Sequence, residues 1–459
     1  MTDRYRRRTL LSLAAATMVS GCLGGESTGD PRTSTEPPTK TTETPMVEPD
    51  YDTRLGHDIE SWSRYDPAWR APTESPEIEV ELETLVTGLE IPWDLSFAPN
   101  GDLFITERVG RVNRFAAGEL EAVASPDDAL DAEAVDQGSR ERSWFLDGGE
   151  GGTMGTTVHP SYPDVPLVYV YYTYRHDREW YNKLVYVDVS ADDPASHVKT
   201  LVDEIPANRF HNGGRIAFGP ENYLWVTVGD AGQKERARDP SFLGGTVLRL
   251  TPEGEPAPGN PDHGGDPRVF TVGHRNPQCI TWQPDGTPVI TEHGPGPDEV
   301  SVLGPGNDYG WADARDPPAY RTTDGVTPPV ASSLGNTWAP AGGVFYTADA
   351  VPAFRNRLVF GALGSQRLKV ATLTPADDGD PTADLPPLGE TGVRHDGDWT
   401  DGSWVATTHD LLVDEVGRIR HVEQGPDGAL YLVTSNRDGR ASGPFPTGND
   451  DRLLRLTPA

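Results

Sequence analysis

The chemistry in this chain begins at His211. The run His211-Asn212-Gly213-Gly214-Arg215 sets an imidazole, an amide and a guanidinium around two glycines. The strand-like Leu224-Trp225-Val226-Thr227-Val228 follows, and it ends in Gly229-Asp230-Ala231-Gly232. Glycines let a backbone approach a ligand closely or take a positive φ, and imidazole titrates near neutrality, which suits proton transfer. Four further runs share this character: Gly149-Glu150-Gly151-Gly152, Gly273-His274-Arg275-Asn276-Pro277-Gln278, Glu292-His293-Gly294-Pro295-Gly296-Pro297-Asp298-Glu299 and Gly417-Arg418-Ile419-Arg420. Arg418 and Arg420 alternate along a predicted strand and so share a face. Two guanidiniums on one face call for an anionic ligand or for protein carboxylates. Gly294 and Pro295 can offer bare carbonyls to a hard cation such as Ca²⁺, and Asp298 and Glu299 add negative charge nearby. Together these runs predict a site for an anionic cofactor plus a cation, with His211 as a base.

The elements that must position these runs repeat along the chain. An apolar pair, a Pro or Gly-Pro turn and a β-rich run recur at Leu95–Thr106, Val158–Tyr172, Ala217–Thr227, Trp282–Thr291, Val344–Phe360 and Glu423–Val433. Pro-Asn-Gly or Pro-Asp-Gly stands at the turn of three copies: Pro99-Asn100-Gly101, Pro284-Asp285-Gly286 and Pro426-Asp427-Gly428. Six copies of short strands with such turns predict an all-β chain, a six-bladed β-propeller of four-stranded antiparallel sheets. The chemistry-bearing runs fall at strand edges and loops, and propeller loops converge on the mouth of a central channel. Two insertions interrupt the repeats. The acidic stretch 120–146 predicts a helix after Ser125-Pro126. The stretch 375–410, with Asp377, Asp378, Asp380, Trp399 and Trp404, reads as a solvated loop or a lid.

Composition sets the outer limits. The chain has 459 residues with a net charge of −32, and only five of its 39 basic residues are lysine. Such a surface repels nucleic acid. Aspartate-rich, lysine-poor chemistry suits solubility in high salt, where screening removes self-repulsion, so a salt-loving source is expected. Two cysteines, Cys22 and Cys279, exclude a disulfide framework. Residues 1–22 read as an export signal: a twin-arginine-like Arg6-Arg7-Arg8, an apolar run from Leu10 to Val19 too short to span a bilayer, and Val19-Ser20-Gly21-Cys22, which resembles a lipobox. Cys22 is then the lipidated N-terminus of a protein held on the outer face of the cell membrane by lipid alone. Residues 23–50 form a Thr/Pro/Glu-rich tether. Residues 51–76, with Trp62, Tyr65 and Trp69, are predicted to pack on the outside of a propeller spanning 77–459.

The ordered set of motifs resembles the soluble PQQ-dependent sugar dehydrogenases, the glucose/sorbosone or aldose sugar dehydrogenase family, over about 80–458. The carriers are Gly88-Leu89-Glu90-Ile91-Pro92-Trp93-Asp94, Gly149-Glu150-Gly151-Gly152, His211–Arg215, Gly229-Asp230, Gly273–Gln278, Gly294-Pro295, Asn307-Asp308-Tyr309-Gly310-Trp311 and Gly417–Arg420. The resemblance implies PQQ over the channel mouth, touched by Glu150, Arg275, Asn276, Thr337, Arg418 and Arg420. It implies Ca²⁺ on the carbonyls of Gly294 and Pro295; Glu299, nearby in sequence, is a candidate for a second metal position. His211 would be the general base, Asp230 the acid that orients it, and Arg275 a group that polarises the quinone oxygen. The activity implied is oxidation of an aldose sugar at C1 to its lactone, with electrons passing to an acceptor that the sequence does not identify. The chain departs from the family at Gly361-Ala362-Leu363-Gly364-Ser365-Gln366-Arg367, where Gly364 stands in place of a Lys or Arg that touches the cofactor. Either Arg367 substitutes for it or the cofactor binds more weakly. The competing readings are a non-catalytic surface-binding propeller and a Ca²⁺-dependent lactonase-type hydrolase.

Overall fold

The computed structural model describes residues 51–130, 149–376 and 385–459. Six antiparallel sheets stand around a central channel as the blades of a propeller. The chain enters with β1 (Val80–Thr87) and then builds the first blade from β2 (Pro92–Phe97), β3 (Leu103–Glu107), β4 (Arg111–Ala116) and β5 (Glu119–Ala124). The second blade is β6 (Thr153–Val158), β7 (Leu167–His176), β8 (Glu179–Asp188) and β9 (Val198–Pro206). The third is β10 (Ile216–Phe218), β11 (Leu224–Val228), β12 (Thr246–Leu250) and β13 (Val269–Val272). The fourth is β14 (Pro277–Trp282), β15 (Pro288–Glu292), β16 (Glu299–Val302) and β17 (Ala331–Ser332). The fifth has β18 (Pro340–Tyr346), β19 (Arg357–Ala362), β20 (Arg367–Pro375), β21 (Val393–His395) and β22 (Trp404–Leu411). The sixth is β23 (Ile419–Gln424), β24 (Leu430–Thr434) and β25 (Arg452–Pro458), completed by β1, which pairs with β25 from Val80↔Pro458 to Thr87↔Arg452. The ring is thus closed by hydrogen bonds between the two ends of the domain, which removes open sheet edges.

The blades stick together through apolar side chains on their facing surfaces. Among the described residues seven apolar clusters occur: a small one at Ile91 and Leu130, and one between each pair of neighbouring blades. Phe104 and Val168 belong to the cluster between blades one and two, Tyr171 and Val226 to that between two and three, and Trp225 and Trp282 to that between three and four. Val289 and Phe360 mark the boundary between blades four and five, Val359 and Leu454 that between five and six, and Ile105 and Leu453 the one that closes the ring. A blade buried on both faces needs continuous rather than alternating hydrophobicity, and β3 and β11 are buried along their whole length. The outer β5 is mostly exposed and reads Glu-Leu-Glu-Ala-Val-Ala. The recurring turns join the inner strand of a blade to its second strand. Gly101, Gly286 and Gly428 sit there at φ of 92°, 91° and 79°, and Asn222 takes the same role at 57°. Only a residue tolerant of the left-handed region fits.

Three expectations need correction. The fifth sheet has five strands, because much of 375–410 is blade rather than loop: Pro375 ends β20, and Trp404 opens β22 and packs on the apolar cluster between blades four and five. Trp399 lies against Tyr320, with ring centroids 6.1 Å apart; Asp377, Asp378 and Asp380 lie outside the described residues. The start of 120–146 is not helical either. It continues β5 to Ala124, and Ala129 then makes a β-bridge to Tyr174, because pairing with β4 satisfies more backbone groups than a short isolated helix could. Residues 131–148 lie outside the described residues. The segment 51–76 packs across blades two to six: the Thr53 carbonyl lies 3.2 Å from His159 Nε2, His57 stacks on Tyr223 at 4.1 Å, Trp69 meets Phe345 edge-on at 5.5 Å and Arg64 lies 3.9 Å from Glu423.

Candidate functional site

The runs at Gly149, His211, Gly273 and Gly417 precede the inner strands of their blades, while Gly229-Asp230 and Glu292–Glu299 follow the second strands β11 and β15, so the propeller gathers them at one end of the channel. Glycine makes the closest approach possible. Gly213 has φ 60°, and a Cβ there would lie 2.6 Å from the Gly229 amide; a Cβ on Gly229 would lie 2.1 Å from the His211 carbonyl. With no Cβ at either place, the His211 loop lies directly on the end of β11. His211 itself has φ 61°. Its Nδ1 then stands 2.8 Å from Asp230 Oδ1. Asp230 is 1% exposed, and its oxygens also accept from the Gly232 amide and from Trp311 Nε1–H, each at 2.7 Å. A carboxylate that only accepts requires Nδ1 to carry the proton. The Nε2 lone pair is thereby left as the basic position, on a ring that keeps 13% exposure.

Beside this dyad lies a cavity of about 230 Å³ lined by Trp93, Glu150, Asn276, Thr337, Arg418, Arg420 and other residues. Glu150 is its organiser. Oε2 accepts from the His211 amide at 2.8 Å, and Oε1 accepts from Arg440 Nη1 at 2.8 Å. Burial alone would raise the Glu150 pKa, but the Arg440 charge and the His211 amide outweigh it and hold it at about 2. Asn276 Oδ1 accepts from the Gly213 amide at 3.1 Å, which ties the His211 loop to blade four. Arg418 and Arg420 do share a face, and both reach Asp438, at 2.8 and 3.4 Å. Burial lowers the Arg420 pKa to about 9, while the two arginines, acting against burial, lower that of Asp438. The Nε–H groups of Arg418 and Arg420 are buried with no hydrogen-bond partner among the described residues. Two guanidiniums on one carboxylate, each with an orphaned donor, form a cradle for a further anion.

The remaining predicted positions lie to one side. Arg275 donates from Nη1 to the His293 carbonyl at 2.7 Å and lies 5.5 Å from the centre of the Trp311 ring. Burial lowers its pKa against the pull of Asp230 and Glu150. Gly294 and Pro295 do not line the larger cavity. They border a cleft of about 10 Å³ with Arg275, Glu299 and Trp311. A Cβ on Gly294 would meet the Pro297 carbonyl at 1.6 Å, so the turn requires glycine. Neither carbonyl accepts a backbone hydrogen bond from the described residues. Asp298 is spent on the backbone: it accepts from the amides of Gly294, Trp338 and Ala339 at 2.9, 2.6 and 2.8 Å, and from the Thr337 hydroxyl at 2.9 Å. Thr337 therefore lines the cavity with its hydroxyl already committed. Glu299 accepts from Tyr320 Oη, and burial together with the Glu292 charge holds its pKa well above the usual carboxylate range. Among the described residues no three His, Cys, Asp or Glu side chains gather as a metal cluster, so oxygen ligands for a cation would come chiefly from the backbone.

Arg367, the sequence-based substitute for the basic residue missing at Gly364, is occupied elsewhere. Its Nη1 pairs with Asp410 Oδ2 at 2.7 Å and its Nε donates to the Ser365 carbonyl at 2.8 Å. Sequence reasoning also passed over Asp438 and Arg440. The polar run Asn436-Arg437-Asp438-Gly439-Arg440 after β24 was the available signal.

A family model described as Glucose / Sorbosone dehydrogenase matches residues 89–443. Aldose sugar dehydrogenase YliI of Escherichia coli (strain K12) is 27% identical over 393 residues, which cover 81% of this chain and 93% of that protein. Quinoprotein glucose dehydrogenase B of Acinetobacter calcoaceticus is 25% identical over 263 residues, 50% of this chain and 52% of that one. Among solved structures, the PQQ-bound form of aldose sugar dehydrogenase from Streptomyces coelicolor is similar with a TM-score of 0.63 at 29% identity, covering 83% of this chain and 99% of that chain.

Proposed function

The chain belongs to the glucose/sorbosone dehydrogenase family, and from that membership we infer a PQQ-dependent oxidoreductase acting on sugars. We propose, more finely, that it oxidises an aldose at C1 to the lactone, with His211 as base and Ca²⁺ as the accompanying cation. The observation that carries the reading is the junction of two features: a His211–Asp230 dyad with Nε2 left basic, and an adjoining cavity whose Arg418 and Arg420 have buried donors without a partner among the described residues. That donor set fits a quinone bearing several carboxylates. When bound, PQQ supplies the hydride acceptor that no side chain can provide, and Ca²⁺ a Lewis acid. His211 Nε2 would take the proton of the C1 hydroxyl, and Asp230 would stabilise the imidazolium that results. Arg418, Arg420 and Asn276 would hold the cofactor. The Arg275 guanidinium would lie toward the quinone oxygen, and the carbonyls of Gly294 and Pro295 would face the cation.

The test is an absorption spectrum of the chain after Cys22, in high salt, with PQQ and Ca²⁺ added and then glucose or another aldose. A bound-quinone band that shifts to the reduced form on adding sugar supports the reading, and chelation of Ca²⁺ is expected to abolish the shift. Absence of bound quinone would sink it; lactone hydrolysis under those conditions would transfer the assignment to a hydrolase.

Trp311 gives a finer check on the dyad. Trp311→Phe removes the donor to Asp230 Oδ2 and leaves a buried carboxylate oxygen without a partner. A loss of about 1–3 kcal/mol in stability is expected, with kcat down by roughly 10-fold and KM for sugar little changed. An unchanged kcat would show that Trp311 does not position the dyad.

Export and lipidation at Cys22 belong to the same proposal, with the electrons leaving to an unidentified soluble or membrane acceptor. The support is the twin-arginine-like start and the Val19-Ser20-Gly21-Cys22 run. Cys22→Ser is expected to release the protein from the membrane fraction into the medium; continued membrane attachment would overturn lipidation at this residue.

A further inference from the structure

We propose that Arg440 is a cofactor-binding residue, taking a carboxylate of the quinone on the side of the cavity that Gly364 leaves open. This rests on the PQQ reading above. Gly364, Leu363, Thr337, Glu150, Arg418, Arg420 and Arg440 line one cavity. Gly364 contributes no side chain to it. Its backbone lies outside the left-handed region, and a Cβ there would stand 3.0 Å from Ala339 Cβ and 3.3 Å from Thr337 Cγ2. The position therefore accepts a side chain after a shift of a few tenths of an ångström, yet this chain carries none.

Arg440 reaches the same cavity from the other direction. It follows β24 in the turn Asp438-Gly439-Arg440, where Gly439 has φ 79° and Asp438 Oδ1 accepts the Arg440 amide at 3.1 Å. The carboxylate that gathers Arg418 and Arg420 thus also sets the start of Arg440. The guanidinium then crosses to Glu150 Oε1 at 2.8 Å, joining blade six to the loop before blade two, and its side chain keeps 38% exposure. A guanidinium presents a planar fork of five donors, so it can hold Glu150 and a ligand carboxylate at once. Charge favours the same conclusion. Arg418 and Arg420 share one carboxylate, Asp438, while the Glu150 carboxylate that faces Arg440 is also committed to the His211 amide. Among the described residues three guanidiniums, those of Arg418, Arg420 and Arg440, stand with two carboxylates, Glu150 and Asp438, and a ligand carboxylate completes the pairing.

The experiment is a PQQ titration of the apo-protein in fixed Ca²⁺ and salt, read by tryptophan fluorescence quenching and absorption. Arg440→Ala is expected to raise the Kd for PQQ by about 10- to 100-fold, and Arg367→Ala to leave it within twofold. Arg440→Lys should recover part of the loss, as should Gly364→Lys placed in the Arg440→Ala background. If Arg440→Ala does not fold, Arg440→Gln, which can still donate to Glu150, carries the same expectation. Binding within twofold of the parent in the folded neutral variant would overturn the assignment while leaving the PQQ reading in place. A loss that neither lysine variant repairs would also overturn it, because charge would not be the cause. A parent chain that takes up no PQQ would overturn the functional reading and this assignment together.

Discussion

His211→Asn is expected to cut sugar-dependent turnover by about 10²- to 10⁴-fold while PQQ binds within about threefold of the parent. Asparagine is the right replacement because His211 holds φ 61°, a region that asparagine tolerates better than alanine; the loss then reports the imidazole rather than backbone strain. The cofactor should still bind, because the cavity is built by Glu150, Asn276, Arg418 and Arg420, and Glu150 meets His211 only through the backbone amide. Asp230→Asn should fall between parent and H211N. Its amide must turn an N–H toward either His211 Nδ1–H or Trp311 Nε1–H, both of which are donors to Asp230 now. Turned toward Trp311 it loses one hydrogen bond, and turned toward His211 it loses two, because the Gly232 amide also donates to Oδ1; either way the charge that steadies the imidazolium is gone. Dye-linked kcat together with a quinone titration checks both. If H211N kept more than a tenth of parental turnover with full cofactor occupancy, another group would have to be the base.

The parts of this molecule legible in sequence are those set by neighbours along the chain. The Pro-Asp-Gly turns declared the blades because Gly286 and Gly428 stand where only a left-handed residue fits. Arg418 and Arg420 were legible as a pair because strand alternation puts i and i+2 on one face, and they do converge on a single carboxylate. Their partner was not legible. Asp438 lies in a turn beyond the following strand, and nothing local marks it as buried. Ring closure hides still more. Glu150 and Arg440 are 290 residues apart and meet only because β1 completes the sheet of β25. The same closure explains why Arg367 misled: it is close to Gly364 in sequence, but it begins β20 and turns along that strand toward Asp410. The stretch 375–410 was misjudged for a related reason. Its Gly, Asp and Pro content resembles a loop, whereas Val393–His395 and Trp404–Leu411 are strands supported by pairing with each other and with β20.

Arg215 belongs to the same five-residue run as His211 yet performs a different task, and its replacement should affect stability rather than chemistry. Arg215 enters the channel below the site. Its Nη1 pairs with Asp94, its Nε donates to the Gln278 carbonyl at 3.0 Å, and its guanidinium lies 4.0 Å from the centre of the Trp93 ring. Asp94 also accepts the amides of Thr156 and Leu95 at 2.9 and 2.8 Å, and His421 Nδ1 stands 3.4 Å away. These groups come from blades one, two, three, four and six, so the pair pins the inner strands to one another. Arg215→Met should cost about 3–5 kcal/mol, because it leaves Asp94 as an uncompensated buried charge. The pair does not stabilise the fold merely by being ionic. Burial raises the pKa of Asp94 and lowers that of Arg215 despite their mutual attraction, so desolvation outweighs the Coulombic gain for both. Asp94→Asn combined with Arg215→Met should therefore be more stable than Arg215→Met alone, though below the parent, since Thr156 and Leu95 donate to different Asp94 oxygens and the single amide oxygen can accept from only one of them. Chemical denaturation of the parent and the two variants measures this. A single-variant loss below about 1 kcal/mol, the range of an exposed pair, would mean that water enters the channel and screens the charges. The loss predicted here requires that it does not, and it requires turnover per folded Arg215→Met molecule to stay near the parental value, because Trp93 separates Arg215 from the cavity that Trp93 lines.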